Sequence, residues 1–122
     1  MKPAVLLFGF SKADSTKLMR ALLPAKIRLK KIKVEDYARP LGELAGMESI
    51  SLEKSSPEKE LSHPMIVFAG FTGGQLDFIL NAIRRSGVGP IPYKAVLTPT
   101  NQSWDAFSLL EELKQEHEKM QG

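Results

Sequence analysis

A chain of 122 residues, 43% hydrophobic and 25% charged, has the composition of one soluble globular domain: it is too apolar for a disordered segment and lacks the unbroken run of roughly 20 apolar residues a membrane span needs. It contains no cysteine, which excludes disulfides, thiolate nucleophiles and zinc-thiolate sites. The net charge of +3 is mild but uneven: residues 17–39 carry eight basic and two acidic side chains and residues 103–120 five acidic and two basic, the pattern of a basic binding face or of two surfaces that attract each other in a homodimer.

The first element expected is a strand over residues 4–8, a continuous apolar run that suits burial on both faces. The run is too short for the core of a signal peptide, and Gly9, Phe10 and Ser11 continue the structure, so a cytoplasmic location is expected. Ser11 has the position of a helix N-cap with Asp14 three residues on; Leu18, Met19 and Leu22 give the buried stripe, and Pro24 ends the helix. A basic strand follows over 27–34, in which the alternation changes phase near Lys30 and Lys31 and marks a bulge or a strand start. A short helix around 40–47 leads into residues 48–63, polar, rich in turn formers and read as a mobile connection.

The pattern then begins again. An offset of 61 places PAVLLFGFS at 3–11 over PMIVFAGFT at 64–72, with proline, glycine and phenylalanine coinciding, and this is read as an internal duplication of halves at about 3–47 and 64–120. Thr72 and Gln75 have capping-box spacing, Leu76, Ile79, Leu80 and Ile83 form an amphipathic stripe, and Gly87 can stop the helix after Arg84 and Arg85. An edge strand over 93–98 precedes a final helix over 103–119, capped by Asn101 or Ser103.

The order βαβα, linker, βαβα predicts a single α/β domain with a four-stranded, mainly parallel sheet in the order 2-1-3-4 and helices on both faces. A ferredoxin-like α+β sandwich with antiparallel central strands and added helices fits the same pattern. The distinction decides the function. With parallel central strands, three helix-opening loops converge at one sheet edge: Gly9, Phe10 and Ser11; Gly70, Phe71, Thr72 and Gly73; and Thr98, Thr100, Asn101 and Trp104, with Lys94 adding charge. Such a site suits an anionic small molecule, with backbone NH groups and the hydroxyls of Ser11 and Thr72 as donors, Asn101 as a directional partner and Trp104 as a wall. With antiparallel central strands this composite site does not exist, and the tryptophan loop is a strand-to-helix handover.

Catalytic material is poor. His63 and His117 show no metal-ligand spacing, no serine sits in a nucleophile elbow, and Ser11 and Thr72 are explained as caps, so no catalytic residue, metal or cofactor is assigned. The rival readings are a protein-interaction or dimerisation module using the acidic last helix or a sheet edge, and a nucleic-acid binder using residues 26–33, the weaker because Tyr37 is its one nearby aromatic.

The block KAVLTPTNQSW at 94–104, with LEEL at 110–113 and Glu116-His117, resembles a family of short bacterial proteins, the domain of unknown function 3783 (DUF3783); PLGELAG at 40–46 and FAGFT at 68–72 are similar to its other stretches. The likeness extends over most of the chain and is most specific at Lys94, Ala95, Val96, Thr98, Asn101 and Trp104. The resemblance implies no activity and no catalytic residue.

Overall fold

The computed structural model describes residues 2–47 and 59–121; the connection expected as mobile lies mostly outside the described residues. Strands β1 (Ala4–Phe8) and β3 (Met65–Ala69) are buried at every position, as two apolar runs without a polar face require. Each turns sharply into a helix. In α1 (Lys12–Leu22) the Ser11 hydroxyl accepts from the Asp14 NH at 3.1 Å. In α3 (Gly73–Arg84) the capping box is complete: Thr72 Oγ1 accepts from the Gln75 NH at 3.2 Å and Gln75 Oε1 from the Thr72 NH at 2.8 Å. Helix α1 passes into a 3-10 turn at Leu23–Ala25 that carries Pro24, and α3 closes through the Ser86 hydroxyl donating to the Ile83 carbonyl before Gly87 turns the chain at φ +87°.

The edge strands are shorter than the sequence pattern suggests. Strand β2 is Leu29–Lys31 and β4 is Lys94–Val96. The register of β2 against β1 runs unbroken from Val5↔Leu29 to Leu7↔Lys31, so the change of phase near Lys31 marks the end of the strand rather than a bulge. The chain then coils into a 3-10 turn at Val34–Asp36 and the single-turn helix α2 (Leu41–Leu44). Helix α4 spans Ala106–Gln121, and its cap is Asp105, whose carboxylate accepts from the Ser108 NH at 2.8 Å; neither Asn101 nor Ser103 takes that role.

The sheet has the expected order β2-β1-β3-β4, with β1 parallel to β2 and β3 parallel to β4. Its central pair is antiparallel, from Ala4↔Ala69 through Leu6↔Val67 to Phe8↔Met65, which corrects the expectation of parallel central strands. Each parallel pair is fixed locally, because a strand-helix-strand crossover closes right-handed onto its neighbour. No local rule fixes how one such unit meets the other. The antiparallel centre is what the ferredoxin-like alternative requires, but that arrangement interleaves its two units, whereas here each edge strand stays beside the central strand of its own unit.

Alternate residues of the two central strands enter different buried clusters. Val5, Leu7, Ile66 and Phe68 pack with Leu18 and Leu22 of α1 and Ile79, Ala82 and Ile83 of α3. Ala4, Leu6, Phe8, Met65, Val67 and Ala69 pack with Tyr37, Leu41 and Ala45 and with Ala106, Leu109 and Leu110 of α4. The two units are also joined by backbone bonds. The Leu41 and Gly42 NH groups, unpaired donors at the start of α2, reach the Trp104 and Gln102 carbonyls at 2.8 Å each, and the Ala106 NH reaches the Tyr37 carbonyl at 3.0 Å.

Candidate functional site

Opposed central strands send the two glycine-phenylalanine turns to opposite ends of the sheet. Gly9, Phe10 and Ser11 leave the end of β1; Gly70, Phe71, Thr72 and Gly73 leave the end of β3, alongside Thr98 at the end of β4. The three-loop site expected from the sequence is therefore divided, and three helix N-termini do not converge.

The first fragment opens onto a pocket of about 600 Å³. Gly9, Phe10 and Ser11 line it on one side, Lys31 at the end of β2 and Lys33 just beyond it also line it, and Tyr37, Glu60 and apolar Ile32, Val34 and Leu61 make up the rest. The pocket sits at the carboxyl ends of a parallel strand pair, where open α/β sheets place ligands. Tyr37 is its fixed point: 3% exposed, its ring is 5.7 Å from Phe8 and 6.2 Å from Phe107, and its hydroxyl oxygen accepts from the Gly9 NH at 2.8 Å. Burial raises the Tyr37 pKa above the ordinary tyrosine value and the nearby Glu60 adds to this, while the bond from Gly9 works against both. The hydroxyl therefore keeps its proton at neutral pH, and a hydroxyl that accepts one bond can still donate another. Lys31 and Lys33 are both exposed; Lys33 is 4.0 Å from Glu35, a loose surface pair.

The third fragment is an internally bonded turn. Asn101 Oδ1 accepts from the Thr98 NH at 2.9 Å, Thr98 Oγ1 accepts from the Asn101 NH at 3.1 Å, and Asn101 Nδ2 donates to the Val96 carbonyl at 3.1 Å. Asn101 is 8% exposed, so its directional hydrogen bonds go to backbone. This reciprocal pairing is a capping box on a single turn, and it explains why threonine and asparagine stand three apart. Trp104 is half-buried against the cluster that contains α4. Lys94, Thr98, Thr100, Asn101 and Trp104 do line a common groove of about 310 Å³, bounded on the α4 side by Glu112 and Glu116. Two acidic side chains there oppose an anion, against the single Glu60 beside Lys31 and Lys33 in the first crevice.

The second fragment, Gly70, Phe71, Thr72 and Gly73, lines neither pocket. The Thr72 NH is taken by Gln75 Oε1, and the Thr72 hydroxyl oxygen accepts from the Gln75 NH. A β-carbon on Gly73 or Gly74 would meet nothing within 4 Å.

Lys31, Lys33 and Tyr37 beside Ser11 were not assembled from the sequence, because their meeting depends on where β2 ends. The sequence pattern puts residues 27–34 on one strand, whereas β2 ends at Lys31 and the chain turns at Val34–Asp36. Both histidines, far apart in the chain, meet the same ring: His63 and His117 lie 5.2 Å and 5.6 Å from Tyr93, each near edge-on. Among the described residues no three histidine or carboxylate side chains gather to hold a metal.

The fold and the crevice define a small mixed α/β sheet protein with a strand-end pocket. Residues 64–120 match the model of a family described as a domain of unknown function (DUF3783). That match spans β3 to α4, so the resemblance rests on this part of the chain, and the PLGELAG stretch at 40–46 lies outside it. No curated protein and no solved structure matches the chain.

Proposed function

We propose that the protein is a non-catalytic binding or regulatory module for a small anionic molecule, held in the crevice between the ends of β1 and β2. The observation that carries this reading is the pocket of about 600 Å³ whose lining includes Ser11, at the start of α1, together with Lys31 and Lys33. The opening turn of an 11-residue helix supplies backbone donors and a positive dipole end, and the two ammonium groups supply charge that a strand-to-helix turn does not need for its own stability. The Tyr37 hydroxyl provides a directional donor, the role expected earlier for Asn101. On this reading the protein is cytoplasmic, and its two units descend from one duplicated βαβα element with helices on both faces of the sheet; the offset of 61 maps the Leu6↔Val67 pair onto itself, as two-fold related copies would.

A thermal-shift screen of phosphorylated and carboxylated metabolites tests the reading, because a ligand selective for the folded chain raises its melting temperature. Hits should lose their effect in a Lys31→Glu, Lys33→Glu variant. A hit of unchanged size in that variant overturns the assignment.

The second reading is a dimerisation or protein-interaction module, supported by the separation of charge. Arg28, Lys31 and Lys33 are exposed at the β2 edge, while Glu111, Glu112 and Glu116 of α4 are exposed, the last two bordering the β4 edge. A salt-sensitive dimer in size-exclusion chromatography, with no ligand effect, supports it. Nucleic-acid binding by the same basic edge has less support, since Lys30 is turned inward to donate to the Leu44 carbonyl at 3.2 Å. Among the described residues no helix is long and apolar enough to cross a membrane.

A further inference from the structure

A second pocket, of about 590 Å³, shares no lining residue with the crevice at Ser11. It lies between the last turns of α3 and the segment that leads into β4. Leu80, Ile83, Ile91 and Pro92 give it apolar walls, and Arg84 and Lys94 stand in the same lining. The wall made by the Gly89-Pro-Ile-Pro92 run is stiff, because each proline fixes its own φ and restrains the residue before it.

The two cations are the unexplained part. Arg84 is bonded through Nη1 to Asn81 Oδ1 at 3.3 Å, and the Lys94 ammonium donates to the Ile91 carbonyl. Both partners are neutral. Among the described residues neither cation forms an ion pair. Burial and the like charge of Arg84 both depress the Lys94 pKa, so the two cations repel, and neither is held in an ion pair among the described residues. Two like charges beside an apolar wall are an arrangement that folding alone disfavours and that an anionic head on an apolar body would relieve.

We propose that this pocket binds an amphiphilic anion, a carboxylate or phosphate monoester carried on a short apolar chain, with Arg84 and Lys94 on the head and Leu80, Ile83 and Ile91 against the chain. Arg84 offers a planar fork that matches either head, and Lys94 keeps two ammonium hydrogens beyond the one given to Ile91. A volume near 590 Å³ lies within the range of small-molecule pockets and exceeds what a bare inorganic anion fills.

The test is an amide chemical-shift titration of the intact chain with octanoate, octyl phosphate, octanamide and inorganic phosphate. Octanoate, octyl phosphate or both should shift the amides of Leu80, Ile83, Arg84, Ile91 and Lys94, and which of them binds more tightly identifies the head. Octanamide, which keeps the chain without the charge, and inorganic phosphate, which keeps the charge without the chain, should each bind at least about tenfold more weakly. The exposed Arg84→Gln, Lys94→Gln variant should weaken the bound probe by about tenfold or more with its ligand-free melting temperature unchanged or raised, and Leu80→Glu should abolish binding. Unaltered affinity in Arg84→Gln, Lys94→Gln, equal affinity for octanamide, the absence of shifts with both amphiphiles, or shifts centred on the exposed Met19, Leu23 and Phe78 would overturn the proposal. Shifts at Gly9 and Ser11 instead would assign the amphiphile to the first crevice and not to this one.

Discussion

A β-carbon placed on Gly70 would lie 3.3 Å from the Cα of Pro3, and one placed on Gly9 would lie 3.5 Å from the Cα of Pro64. Each central strand thus ends in a glycine that lies against the proline preceding the other, and both glycines turn the chain at positive φ, +81° and +76°. This reciprocity gives the repeated proline and glycine a structural cause: they are contacts across the antiparallel centre. Replacing Gly70 by alanine should destabilise the fold by about 1–3 kcal/mol, since backbone strain and the close approach act together. Gly73→Ala, at an open helical position, should be neutral or stabilising by up to about 1 kcal/mol. Urea denaturation of the two variants checks the contrast.

Asn101 ties the end of β4 to the turn that opens towards α4. Asn101→Ala removes its bonds to the Thr98 NH and the Val96 carbonyl, and should cost about 2–3 kcal/mol. Asn101→Asp keeps an acceptor for Thr98 but sets a carboxylate against the Val96 carbonyl, so it should also be destabilised, and by more at neutral than at acidic pH. Equal stability of all three proteins by thermal melting would show that the turn does not depend on this side chain.

Tyr37 couples the first crevice to the core. Tyr37→Phe leaves the Gly9 NH without its acceptor at 2.8 Å and should cost about 1–2 kcal/mol. The pH dependence has a definite sign. With its folded pKa raised above 10.0, the tyrosine contributes stability that is fully present below the unfolded value and is lost as pH rises through the higher folded value. Between wild type and Tyr37→Phe, the stability difference should therefore be constant at neutral pH and shrink above about pH 10. Chemical denaturation at a series of alkaline pH values measures it.

Gly42 is the tightest contact between the two units. A β-carbon there would fall 2.9 Å from Met47 Sδ and 3.2 Å from the Gln102 carbonyl oxygen, in a place where the Gly42 NH already bonds that carbonyl. The methionine end can move; the backbone carbonyl cannot. Gly42→Ala should lower stability by about 1–3 kcal/mol, read as a fall in melting temperature, by pushing α2 away from the 98–104 turn.

What the sequence disclosed follows the range of the interactions. Local rules carried the buried central strands, the Ser11 and Thr72 caps, and the parallel pairing of each edge strand with its own central strand, because apolar runs, capping spacing and right-handed crossovers act within a unit; the order 2-1-3-4 followed from the apolarity of the two central runs. They did not carry the meeting of the two units. Gly9 against Pro64 and Gly70 against Pro3 give the same repeated letters that a parallel pair of copies would, so the repeat could not report its own orientation. The candidate site failed at that point and divided. The cap of α4 was misplaced for a simpler reason: Asn101, Ser103 and Asp105 are all good caps, and only the turn held by Thr98 and Asn101 shows that Asp105 is the one left to start the helix.

Anion binding in the crevice at the ends of β1 and β2 is read most directly by an amide shift titration with the strongest hit of a metabolite screen. Shifts should concentrate at Gly9, Phe10, Ser11 and Lys12 and around Lys31 to Lys33, and be abolished by Lys31→Glu, Lys33→Glu. Shifts concentrated instead at Gly70 to Gly73 or at Thr98 to Trp104, with the first crevice silent, would contradict it.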